Sequence, residues 1–137
     1  MTKITRTIKV NASPENVWPF MDLRKWKDFS QIFAEVDCTA PDFNIGQQAK
    51  ITAGPGAEKI TYTATITALE AAKKLAYRRS GGPLPGISEW EISKNDSLCE
   101  ISYNNTFTHE LPKPVQKSMT TVMDNFLQDI KNAVEAE

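Results

Sequence analysis

Hydrophobic and polar positions alternate with two different periods along this chain, and the change of period divides it. In the first strand-like stretch Ile4, Ile8 and Val10 share one face while Thr5, Thr7 and Lys9 occupy the other, the period of a half-buried strand. The cleanest alternation runs from Ile60 to Ala68: Ile60, Tyr62, Ala64, Ile66 and Ala68 face one way, against Thr61, Thr63, Thr65 and Thr67. An outer face built only of threonine keeps β-propensity high on the solvent side. Further β-prone runs are Ile32 to Thr39, Ala49 to Ala53, Lys74 to Ser80, Ile87 to Ser93 and Leu98 to Thr108. Gly54-Pro55-Gly56 and Asn95-Asp96 mark turns between them, and the Gly/Pro-rich stretch from Gly81 to Gly86 reads as a loop. The period then changes to that of a helix. Val115, Met119, Val122, Met123, Phe126, Leu127, Ile130, Ala133 and Val134 form one stripe, opposite Lys117, Asp124, Gln128, Lys131 and Glu135. About 20 helical residues extend roughly 30 Å, as far as nine or ten extended ones, so one helix can lie along a whole sheet.

Between the first strand and the others, Ser13-Pro14-Glu15 has the form of a helix start, with Ser13 as N-cap and Pro14 at the first helical position. Pro19 keeps that helix short, and Asp22 is placed to cap a second one over Leu23 to Phe29. These elements predict an α+β domain spanning residues 1–137. Its curved antiparallel sheet of about six to seven strands wraps around a long C-terminal helix, with two short helices after the first strand.

Composition narrows the chemistry. Lys+Arg number 16 and Asp+Glu 17, a net charge of −1, which argues against a nucleic-acid surface. The opening MTKITRTIKV has no uninterrupted apolar stretch, so neither a signal peptide nor stable membrane insertion is expected, and a cytoplasmic location follows. The single histidine, His109, excludes a multi-histidine metal site. The Gly/Pro loop lacks the lysine and spacing of a phosphate-binding loop, so no metal or cofactor is expected. Cys38 and Cys99 lie far apart, as two reduced thiols.

The segment Ile8-Lys9-Val10-Asn11-Ala12-Ser13-Pro14-Glu15-Asn16-Val17-Trp18 resembles the opening strand and helix of the polyketide cyclase/START-like superfamily, the helix-grip fold shared with the birch-pollen allergen family. Asp22 to Trp26 is similar to that family's second short helix. Gly46, the strand Lys59 to Leu69 and the pair Trp90/Ile92 also fall where the pattern puts them. The resemblance covers essentially the whole chain and implies a cavity between the concave sheet and the long helix. It also implies one of three activities: binding or carriage of a small hydrophobic molecule (a lipid, sterol or aromatic polyketide), a cyclase/dehydratase reaction in the same cavity, or a chaperone-activator-like interaction module. An empty void of about 300 Å³ would cost roughly 7 kcal/mol at ~24 cal/mol per Å³, which rivals a whole domain's stability of about 5–15 kcal/mol. Such a cavity should therefore hold something or collapse.

The inward-facing side chains with polar tips are the candidate ligand contacts. In the register above Tyr62, Tyr77, Trp90, Tyr103 and Asn105 point towards the helix, followed by Phe107 and His109, while Met119, Met123 and Phe126 form the facing wall. Aromatics with a hydroxyl or N–H can pack on an apolar ligand and orient one polar group, or fill the core with their tips bonded to backbone. Asn105 in an apolar alternation needs partners, whether ligand or water. Arg79 follows Tyr77 on the same side and can meet a carboxylate or phosphate at the pocket mouth, or form a solvated pair with Arg78. For the enzyme reading, His109 and Tyr103 are the acid–base candidates. Arg24, Lys25 and Lys27 around Trp26 read as a solvated helix face or a membrane-touching one.

Overall fold

The computed structural model describes residues 1–39, 42–54, 59–96 and 98–136. Seven strands form one antiparallel sheet: β1 (Thr2–Val10), β2 (Phe33–Cys38), β3 (Gln48–Ala53), β4 (Ile60–Glu70), β5 (Lys74–Ser80), β6 (Gly86–Asn95) and β7 (Leu98–Phe107). Their order is β1-β7-β6-β5-β4-β3-β2, so consecutive strands from β2 to β7 are neighbours and β1 closes the far edge against β7. The long helix α3 (Lys113–Glu135) lies in the grip of the sheet. This is the helix-grip architecture.

Local chemistry accounts for the connection between β1 and β2. The Ser13 side chain accepts a hydrogen bond from the Asn16 amide at 3.2 Å and Pro14 opens the short helix α1 (Pro14–Val17). The chain then tightens into a 3₁₀ turn, Trp18–Met21, that contains Pro19. Asp22 accepts from the Arg24 amide at 3.0 Å and starts a second 3₁₀ turn, Leu23–Lys25, which continues into α2 (Trp26–Phe29). The Arg24 guanidinium folds back onto the Asp22 carboxylate at 2.6 Å.

The alternation in β4 holds from Ile60 to Ile66 and then fails. A bulge between Ile66 and Ala68 shifts the register, so that Leu69, paired with Leu75, packs on the core in place of Ala68. An extra residue in one strand reverses the faces beyond it. Asp96 takes a left-handed φ of 57° at the turn between β6 and β7, where Asn95 pairs with Leu98. Pro55 and Gly56 of the expected turn after β3 lie outside the described residues.

The core is one cluster with Trp26 at its centre. Its indole meets Phe33 at 4.6 Å, Trp90 at 5.1 Å and Phe126 at 5.1 Å between ring centroids, and its N–H donates to the Phe20 carbonyl at 3.0 Å. Full burial of a side chain this large makes α2 a plug under the middle of α3. The α3 backbone comes close to β1, β7 and α2 but stands off from the middle strands. Side chains fill that gap at one end, and at the other it stays open.

Candidate functional site

The open end is a cavity of about 450 Å³ between the sheet and the first half of α3, within the size range of ligand pockets, about 300–1,000 Å³. Phe33, Ala53, Ile60, Tyr62, Arg79, Ser88, Tyr103, Asn105 and Phe107 line it from the strands. Pro114, Val115, Ser118, Met119 and Val122 line it from α3, Leu84 from the Gly/Pro loop, and Ile32, Gly54 and Lys59 complete its rim. Most of this wall is apolar, and the described residues that line it include no Asp, Glu, His or Cys.

The polar groups converge on one patch. Arg79 is only 6% exposed. Its Nη1 donates to Ser88 Oγ at 2.6 Å and to Asn105 Oδ1 at 2.7 Å, its Nη2 to the Thr106 carbonyl at 3.0 Å, and its Nε to the Leu84 carbonyl at 3.1 Å. Ser88 Oγ donates to Asn105 Oδ1 at 2.5 Å, and the guanidinium carbon sits 4.8 Å from the centre of the Phe107 ring. Gly86 makes room for this packing. A Cβ there would lie 1.9 Å from the Thr106 carbonyl oxygen and 2.6 Å from Arg79 Nη2.

Around the patch stand three phenols. The Tyr62 and Tyr77 hydroxyls are 3.4 Å apart, and Tyr103 lies on the cavity wall with its ring stacked on Trp90 at 4.3 Å. Burial pushes all three phenols well above their ordinary range, and the nearby Arg79 charge offsets this only in part. They therefore stay protonated and serve as hydrogen-bond donors, not as bases. Burial also raises the Cys38 and Cys99 thiols, and both cysteines are free.

Of the residues expected to meet a ligand, Tyr62, Arg79, Tyr103, Asn105, Phe107 and Met119 line the cavity. Tyr77, Trp90, Met123 and Phe126 do not. They are fully buried in the core cluster that contains Trp26. Arg79 is buried on the cavity wall and not solvated beside Arg78, which is exposed. The largest correction concerns His109. Strand β7 ends at Phe107, where the Thr108 amide bonds to the Pro85 carbonyl, and the chain turns so that the Leu111 amide bonds to Thr2 Oγ1. His109 lies on that exposed turn, away from the cavity lining.

Sequence reasoning missed Ser88, Ile60, Phe33, Val122 and Ser118. Ser88 carries the same signal as Asn105, a polar residue in an inward alternation two positions before Trp90. Ile60 precedes Tyr62 on the face already assigned inward. Among the described residues no group of His, Cys, Asp and Glu is arranged to hold a metal, and no helix is long and apolar enough to cross a membrane.

Comparison with known proteins agrees with this architecture. The chain is similar in structure to a protein from Thermus thermophilus, with TM-score 0.84, 15% identity and 98% of each chain covered. It is similar to the Zhui aromatase/cyclase from Streptomyces sp. R1128, with TM-score 0.74, 16% identity, and 98% of this chain and 93% of that one covered. A START superfamily protein from Mycobacterium smegmatis aligns with TM-score 0.78 at 12% identity, over 98% of this chain and 97% of that one. At these identities the likeness concerns the fold. No curated protein sequence matches the chain at significant similarity. The family described as polyketide cyclase/dehydrase and lipid transport matches residues 1–135, and the chain belongs to that family.

Proposed function

We propose that this protein binds a small, mainly hydrophobic molecule in the cavity between the sheet and α3. One observation carries the reading: a space of about 450 Å³ with a largely apolar wall remains open beside a core that is otherwise filled by large side chains. Apolar surface left in contact with water is unfavourable by about 25 cal/mol per Å², so a ligand that covers this wall gains what the missing side chains would have given. The open cavity favours a ligand over an interaction module, which calls for a collapsed one. The lack of a His, Asp or Glu among the described lining residues, together with the outward position of His109, favours binding over acid–base turnover.

The test is native mass spectrometry joined to NMR titration with a panel of fatty acids, sterols and aromatic polyketides. Binding with one-to-one stoichiometry is expected, with shifts concentrated at Tyr62, Met119 and Val122 and small at Ile130. No binding across the panel, or shifts confined to the outer surface, would overturn the proposal.

A further inference from the structure

The Arg79 side chain is a buried cation with no carboxylate among the described residues to neutralise it. It makes no ion pair with any of the described Asp or Glu residues, and none of the described residues lining its cavity is acidic. Its partners are a serine hydroxyl, an amide oxygen and two backbone carbonyls, all neutral, and the Phe107 ring. Four of the five N–H donors of a guanidinium are used in this way, which leaves one hydrogen on Nη2. Burying a charge is costly unless an opposite charge accompanies it. The described neighbouring groups add donors and no negative charge. The Tyr62 and Tyr103 phenols keep their protons, and Lys59 stands at the rim with Nζ donating to the Gly54 carbonyl at 3.0 Å.

We propose that the ligand is a hydrophobic monoacid whose carboxylate pairs with Arg79 while its apolar part lies against Phe33, Ile60, Met119 and Val122. This rests on the reading of the cavity as a hydrophobic binding site and adds the chemistry of the head group. One buried cation matches one negative charge, and the remaining Nη2 hydrogen can donate to one carboxylate oxygen in a charge-assisted hydrogen bond. The neutral partners hold the guanidinium in place across β5, β6, β7 and the Gly/Pro loop, so it is positioned before the acid arrives. That preorganisation saves the ordering of a long side chain on binding.

The neutral fluorophore N-phenyl-1-naphthylamine reports cavity occupancy irrespective of charge, and dodecanoate, methyl dodecanoate, dodecan-1-ol and dodecyl phosphate are titrated against it. Dodecanoate is expected to displace the fluorophore at concentrations at least tenfold lower than the ester or the alcohol. In Arg79→Gln the ratio between acid and alcohol should fall to within twofold, a readout that a general loss of affinity does not move. The wild-type series stands alone if that variant does not fold. If the fluorophore binds and acid, ester and alcohol compete equally, the head-group assignment is overturned and the hydrophobic cavity stands. Stronger displacement by dodecyl phosphate than by dodecanoate overturns the monoacid. If neither the fluorophore nor any of the four compounds binds, both readings fall.

Discussion

Beneath α3 the same elements build two unlike regions, and a step of a few residues separates them. Strand β5 gives Tyr77 to the packed end and Arg79 to the open one. Strand β6 gives Trp90 and then Ser88, and β7 gives Ile101 and then Asn105 and Phe107. Along α3, Phe126 and Ile130 lie in the packed core, whereas Met119 and Val122 border the cavity. Tyr103 and Phe33 belong to both, with rings in the aromatic cluster and surfaces on the cavity. The difference comes from one insertion. Helix α2 drives Trp26 under the helix at one end, and among the described residues no such side chain enters at the other. At the open end Ser88 and Asn105 bond to one another around Arg79. An inward face thus does two jobs, and position along the strand decides which.

Removing the plug should disturb the packed end most. Trp26→Ala is expected to destabilise the fold by about 3–5 kcal/mol, as for other buried large-to-small changes, measured by denaturant unfolding. A loss below about 1 kcal/mol would mean that the aromatic end is not packed as described. Enlarging a side chain at each end sharpens the contrast. Ile130→Trp in the filled core should cost about 1–3 kcal/mol or more, whereas Val122→Trp can grow into the cavity and should cost less than Ile130→Trp by at least about 1 kcal/mol. Equal costs would show that the open end is no more accommodating than the packed one.

The three tyrosines give a test of burial at both ends, since the chain has no others. Each folded phenol is held protonated beyond its ordinary value near 10, while the unfolded chain releases those protons at about that value. Above pH 10 the unfolded state therefore binds fewer protons than the folded one, so stability is intact below that pH and falls as pH rises towards the raised folded values. Phenolate absorbance is expected to appear together with loss of the circular dichroism signal. Reversible titration of one phenol near pH 10 in the folded protein would place that tyrosine in solvent. The smallest effect belongs to His109→Ala, which should leave stability within about 0.5 kcal/mol and fluorophore affinity within twofold, because the side chain lies on an exposed turn away from the cavity.

Much of this was legible because it is local. Ser13 and Asp22 cap short helices through amides two or three residues away, and period-2 and period-3.6 patterns mark the strands and α3. The inward sides of Tyr62, Tyr103 and Asn105 follow from the same alternation. Depth was not legible. Whether Trp90 meets a ligand or a neighbouring ring depends on where Trp26 arrives from a different part of the chain. Arg79 could be read as facing inward, but its burial rests on Ser88, Asn105 and the Thr106 carbonyl, which pairing across β5, β6 and β7 brings together. The bulge near Thr67 and the end of β7 before His109 likewise depend on partners across the sheet and on a loop, and alternation alone carries the pattern straight through both.

Titration of N-phenyl-1-naphthylamine into the wild type and Val122→Trp decides whether the open end of the grip is a binding site. Saturable one-to-one binding by the wild type and its loss in the folded, cavity-filled variant are expected. Absence of saturable binding by the wild type, or unchanged affinity in Val122→Trp, would contradict a binding site there.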